Sequence, residues 1–178
     1  SGGMVSGTAC EMTFDLTNKA TAQSSPAVSV SAEIKDGSVS VGSIASAAMT
    51  KPGTDLYGVT DGADPLLVVV PSFGVKSIRQ STPGSGATNK LTVSLTANFN
   101  LAAGSTVTIT GLTGSQTADS SLTVTSTGGL LGTSGAWTQS GELVLTAGGV
   151  GTVSGTACEV TFELTNPILA QESPLAVS

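Results

Sequence analysis

The chain contains no histidine. That removes the commonest general base, histidine-centred catalytic triads and most catalytic zinc sites. Aromatic residues make up only 3% of its 178 residues and charged residues only 10%. The longest aliphatic run is "LLVVV" at 66–70. A membrane-spanning helix needs about 20 apolar residues, so no membrane insertion is expected. Cations stop at Lys90, and only acids follow: Asp119, Glu142, Glu159, Glu163 and Glu172. A nucleic-acid binder carries a basic patch, and a net charge of −6 distributed this way argues against nucleic acid as a partner. None of Asn18, Asn89, Asn98, Asn100 and Asn166 opens an Asn-x-Ser/Thr sequon, so N-linked glycan is not expected. A phosphate-cradling "GxxxxGK[ST]" is missing, and "GTSGA" around Ser134 lacks the spacing of a nucleophile elbow. The expectation is a protein that is not an enzyme.

What the chain does contain is the same segment twice. Residues 5–18 read "VSGTACEMTFDLTN" and residues 153–166 read "VSGTACEVTFELTN", with Met12 matched by Val160 and Asp15 by Glu163. Cys158 follows Cys10 by 148 positions, as Asn166 follows Asn18. Self-similarity at a fixed offset marks repeat architectures, and this period is that of a domain rather than a solenoid coil. The chain therefore reads as one repeat with an overlap into the next, a window on a tandem array. Residues 1–32 are expected to be the terminal strands of a preceding repeat, serving here as edge or donor strands. Residues 33–178 are expected to form one repeat unit. Hydrophobic residues at 39% suit a folded core rather than a disordered chain.

Alternation of apolar and polar residues is the dominant local pattern, and period two is the signature of half-buried strands. It predicts strands at 4–17, 27–34, 38–44, 66–73, 75–81, 90–99, 105–112, 121–127, 136–140 and 142–147. Clusters of Gly, Pro, Asn and Asp separate them, such as "DGADP" and "TPGSGATN". "SIASAAMT" (43–50) offers at most one short helical turn, and "GGLLGTSG" (128–135) reads as a flexible connection. The expected fold is all-β, an immunoglobulin-like antiparallel β-sandwich repeat with no substantial helix.

Candidate site residues are few. Alternation puts Cys10 on one face with Met12, Phe14 and Leu16, and Cys158 with Val160, Phe162 and Leu164. Each cysteine is either a buried thiol or half of an inter-unit disulfide. Glu11 and Asp15 lie on the wet face of their strand, where they aid solubility rather than forming a catalytic carboxylate pair. Asp55, Asp61 and Asp64 are calcium candidates, although three carboxylates fall short of the six to eight oxygens calcium takes. Otherwise no metal and no cofactor is expected. Ser and Thr exceed a quarter of all residues, and several flank proline. That composition is typical of O-glycosylated surfaces, which makes Ser25, Pro26, Ser72, Thr82, Pro83, Ser173 and Pro174 candidate O-glycan or hydroxyproline positions. Turn chemistry accounts for the same residues.

The stretch from "QSTP" at 80–83 through "NKLTV" (89–93), "LAAGSTVTITGLTGSQT" (101–117) and "FELTNP" (162–167) resembles the tandem repeats of very long extracellular surface and fibril proteins of algae and other protists. The resemblance covers most of the chain, more loosely over 33–75. Lys19 stands where the second copy has Pro167, so the two copies differ just beyond the shared segment. The resemblance implies a structural role at the cell surface or in a secreted fibril, with copies of itself and glycans as partners and no catalytic residues. An adhesin stalk or carbohydrate-binding module is the alternative. It would need an exposed aromatic platform, and Trp137, Tyr57 and four phenylalanines would make a thin one.

Overall fold

The computed structural model describes residues 6–172. It is all-β, and among the described residues the only helical feature is one 3-10 turn at Thr127–Gly129. Strands β1 (Ser29–Asp36) and β2 (Val39–Ala48) form a hairpin, followed by β3 (Phe73–Gln80), β4 (Thr88–Ala97) and β5 (Thr106–Ile109). Then come β6 (Ser120–Thr123), β7 (Thr125–Ser126), β8 (Ser134–Thr138), β9 (Glu142–Thr146) and β10 (Cys158–Thr165). Every described strand pairing is antiparallel.

The chain divides into two compact units. One comprises residues up to Lys51 together with Asp64–Val70. The other comprises Pro52–Ala63 and everything from Pro71 onward. Strand β1 runs across residues 32–33, the expected start of the repeat.

In the first unit the β1–β2 hairpin turns at Gly37, whose φ of 59° lies in the left-handed region that glycine enters without strain. Both strands are exposed along their whole length. The segment at 43–50, which allowed at most one short helical turn, instead carries the end of β2 as far as Ala48, because Ile44 and Ala47 pair with Ala32 and Val30. Of the segment at 66–73, read from its apolar run as a strand, residues 66–72 contribute only an isolated bridge between Val68 and Gln23, and Phe73 opens β3. Pro71 has no N–H to offer a ladder, and the run is too short to pair before it. Side chains strengthen the bridge: Gln23 Nε2 donates to the Leu66 carbonyl at 2.8 Å and Ser25 Oγ to the Pro65 carbonyl at 2.7 Å.

The second unit holds two four-stranded sheets, ordered β3-β4-β10-β7 and β5-β9-β8-β6. Their inward side chains share one core: Leu91, Val93, Leu95, Val160 and Phe162 from the first sheet, Val107, Trp137, Leu143 and Leu145 from the second. This is a sandwich-like arrangement, and the alternation that predicted the strands is the alternation that is buried. Leu143 and Leu145 of β9 are fully buried while Glu142 and Thr146 are exposed. The turn between β8 and β9 requires Gly141, with φ 101° and no room for a Cβ against the Leu112 carbonyl carbon at 2.8 Å.

The connection at 128–135 departs from its expected flexibility. Leu131 is 1% exposed and sits in the core. Ser126 fixes the loop, its Oγ donating to the Gly132 carbonyl and accepting from the Leu131 N–H. A loop that buries one side chain this way leaves no periodic trace in sequence.

Candidate functional site

The repeated segment is the feature around which the second unit is built. Its second copy is β10, the inner strand between β4 and β7. Cys158, Val160, Phe162 and Leu164 point inward and are buried, while Glu159 and Glu163 are exposed. The β4 register sets Cys158 opposite Leu95, Val160 opposite Val93, Phe162 opposite Leu91 and Glu163 opposite Lys90. On the outer face Arg79 Nη2 donates to Glu159 Oε2 at 3.1 Å. Both carboxylates of the strand thus face cations carried by β3 and β4.

Three sets of polar contacts hold β10. At its start, the Glu159 N–H donates to Thr127 Oγ1 at 3.0 Å. At its end, the Thr165 N–H donates to Thr117 Oγ1 at 2.8 Å, and the Thr165 carbonyl accepts from the Gln116 N–H and Ser115 Oγ. Thr117 in turn offers its carbonyl to Trp137 Nε1 at 3.0 Å, linking the clamp to the largest buried side chain. The third set centres on Asn89, which is 3% exposed. Asn89 Nδ2 donates to Gln80 Oε1 and Asn166 Oδ1, and its Oδ1 accepts from the N–H groups of Ser81 and Thr82. Asn166 Nδ2 then donates to the carbonyls of Thr82 and Gly84. The "QSTP", "NKLTV" and "LTNP" stretches, distant in sequence, meet at this corner. Inspecting the asparagines only as glycan acceptors missed Asn89; the signal was an asparagine set among strand-forming residues, where a buried amide needs partners.

The first copy has the same residues in a different state. Residues 10–17 belong to no described strand, and Met12, Phe14 and Leu16 are 82%, 77% and 64% exposed. The strand expected at 4–17 is therefore not formed over the described residues 6–17; residues 4 and 5 lie outside them. Alternation specifies a face, but a strand also needs a neighbouring edge to satisfy its N–H and C=O groups, and here no edge is paired with it.

The two cysteines share this contrast: Cys158 is buried and Cys10 exposed, and both are free thiols. Burial pushes the Cys158 thiol above its usual value of 9.0, partly offset by a hydrogen bond with the Thr127 backbone. Glu11 and Asp15 are exposed. Of the calcium candidates, Asp55 Oδ1 accepts from the Asp61 N–H at 3.2 Å, whereas Asp64 lies 3.9 Å from Lys51 Nζ in the other unit. Among the described residues no group of three or more His, Cys, Asp or Glu is arranged to hold a metal.

The modification candidates separate by the state of their hydroxyls. The Ser25 hydroxyl donates to the Pro65 carbonyl, and Thr82 Oγ1 accepts from the Gly84 N–H inside the Asn89 corner. Pro26, Ser72 and Pro83 are exposed. Ser173 and Pro174 lie outside the described residues. Beside the Asn89 corner runs a cleft of about 450 Å³, lined among others by Gln80, Leu112, Ser115 and Leu164. Among the described residues no helix is long and apolar enough to cross a membrane. Comparison with protein-family models, with curated proteins and with solved structures finds no match.

Proposed function

We propose that this chain is a structural repeat of an extracellular filament or glycan-coated fibril, built of immunoglobulin-like sandwich units joined head to tail. The observation that carries the reading is the repeated strand: one copy is central to a sheet and the other, 148 positions earlier, is exposed and unpaired. A body that uses this strand internally, in a chain carrying it again, suits serial assembly. Contacts that link unlike surfaces and do not close generate filaments. The exposed serine, threonine and proline positions Pro26, Ser72 and Pro83 suit a glycan coat on such a fibre. The reading calls for copies of the chain as partners, no bond-making chemistry and no bound cofactor.

Electron microscopy of native material tests it. Beaded or continuous filaments are the expected result, with sugar density on exposed Ser, Thr or Pro. Fields of discrete single particles under native conditions would overturn it. The alternative, a carbohydrate-binding module in an adhesin stalk, loses Trp137, which is 2% exposed, from its aromatic platform and keeps Tyr57, which is 67% exposed.

A further inference from the structure

We infer that residues 9–18 are a strand for a second copy of the sandwich body, entering between its β4 and β7 in the register that β10 occupies here. The inference rests on the tandem reading above and names the contact that joins the copies.

Each position of the segment matches a partner that the slot supplies. Cys10, Met12, Phe14 and Leu16 correspond to Cys158, Val160, Phe162 and Leu164, all buried against the core. Glu11 corresponds to Glu159 and would meet Arg79; Asp15 corresponds to Glu163 and would lie opposite Lys90. Thr17 corresponds to Thr165, which the Ser115–Thr117 clamp holds, and Asn18 to Asn166, which completes the Asn89 corner. Only two positions in the matched segments differ, and both keep their character: apolar Met12 for Val160, acidic Asp15 for Glu163. In this chain β10 fills that slot, so the segment enters only a body whose own β10 is missing or displaced, which exposes the facing edges of β4 and β7 over an open core. A segment that exposes Met12, Phe14 and Leu16 to water is the complement of that opening, since large exposed apolar side chains in series mark an interaction surface. Addition of an extended segment to sheet edges draws on backbone hydrogen bonds for affinity and on alternate side chains for specificity.

The test uses the full chain with its own β10 disabled by Val160→Asp and Phe162→Asp, leaving residues 9–18 intact. Sedimentation and Trp137 fluorescence are followed over a range of concentrations. The expected result is a rise in apparent mass to multiples of one chain, with Trp137 emission returning to its buried wavelength as mass rises. Adding Met12→Asp and Phe14→Asp to the same chain abolishes both changes. A chain that stays monomeric with Trp137 exposed at every concentration overturns the inference. So does assembly that persists when Met12 and Phe14 are replaced. A second variant, V160M/E163D, writes the first copy's sequence into β10. It is expected to keep a cooperative transition, with Tm lowered by no more than about 10 °C, as a tight core accepting a larger side chain would show. Loss of the transition would likewise overturn the inference. Filaments seen by microscopy alongside a failed strand test would leave the fibril reading standing, with units joined as beads. Strand complementation without native filaments would leave the contact standing and remove the fibril.

Discussion

Trp137 is the largest fully buried side chain of the sandwich body. It is 2% exposed, and its indole N–H is matched to the Thr117 carbonyl. Trp137→Ala is expected to cost about 3–5 kcal/mol, the range for removing a large buried aromatic side chain, and denaturant titration reads it directly. Asn89 acts differently, through polarity rather than volume. Its amide serves five hydrogen bonds with Gln80, Ser81, Thr82 and Asn166. Asn89→Ala removes the acceptor of the Thr82 N–H and the donor to Asn166 Oδ1, while the Ser81 N–H keeps the Lys90 carbonyl; the expected cost is about 1–3 kcal/mol for a part-buried group left unsatisfied. A Ser85→Ala control on the exposed part of the same loop is expected to change stability by less than about 0.5 kcal/mol.

At the scale of elements, nearly the same ten letters give a buried strand in one place and an exposed segment in the other. Period two predicted β4 and β9 well, and the alternation from Cys158 to Leu164 matches β10, because their apolar positions fall in step on the core-facing side. It placed the first copy in a strand equally well and could not see that no edge was there to receive it. Pairing is a property of two segments, and one segment's pattern carries only half of it. Leu131 and Asn89 escaped notice for related reasons: a single buried leucine in a glycine-rich loop has no period, and a buried amide looks like any polar residue until its partners converge. The contrast between the copies predicts unequal thiols. Native protein treated with a thiol reagent at neutral pH is expected to modify Cys10 readily and Cys158 only after unfolding, as peptide mass mapping would record. Equal rates would contradict the burial of β10. The pH dependence follows from the same burial. Desolvation raises the folded Cys158 pKa, so the folded chain holds its proton where the unfolded chain releases it. This contribution is therefore fully present below pH 9.0 and is lost as pH rises through the folded value. Replacing Cys158 by Ala should flatten that alkaline decline, at the cost of a small cavity.

For the whole molecule, the size of the body bounds the spacing of an assembly. Its longest strand, β4, has 10 residues, which spans about 33 Å at the usual rise of a strand. An axial repeat of some tens of ångströms is therefore expected in images of filaments, and a repeat several times larger would point to another packing. Transferring Met12, Phe14 and Leu16 from water into a core contributes about 1.5–3 kcal/mol each before the ordering cost is counted. Ordering the ten residues of a strand costs about 1–2 kcal/mol each, more than that apolar contribution, so the backbone hydrogen bonds of two edges are required for the strand to dock.

The exposed Arg79–Glu159 ion pair contributes little, about 0–1 kcal/mol, yet the positions of the β10 carboxylates have a consequence for frame. A strand with a strict alternation can slide by two residues and still present an apolar face to the core. Sliding would carry Glu163 away from Lys90, Glu159 away from Arg79, and Asn166 out of the Asn89 corner. The charges thus work as an address and the asparagine as an end stop. Together they would let a strand handed from one copy to the next arrive in a single frame, so that every joint in a long array has the same length.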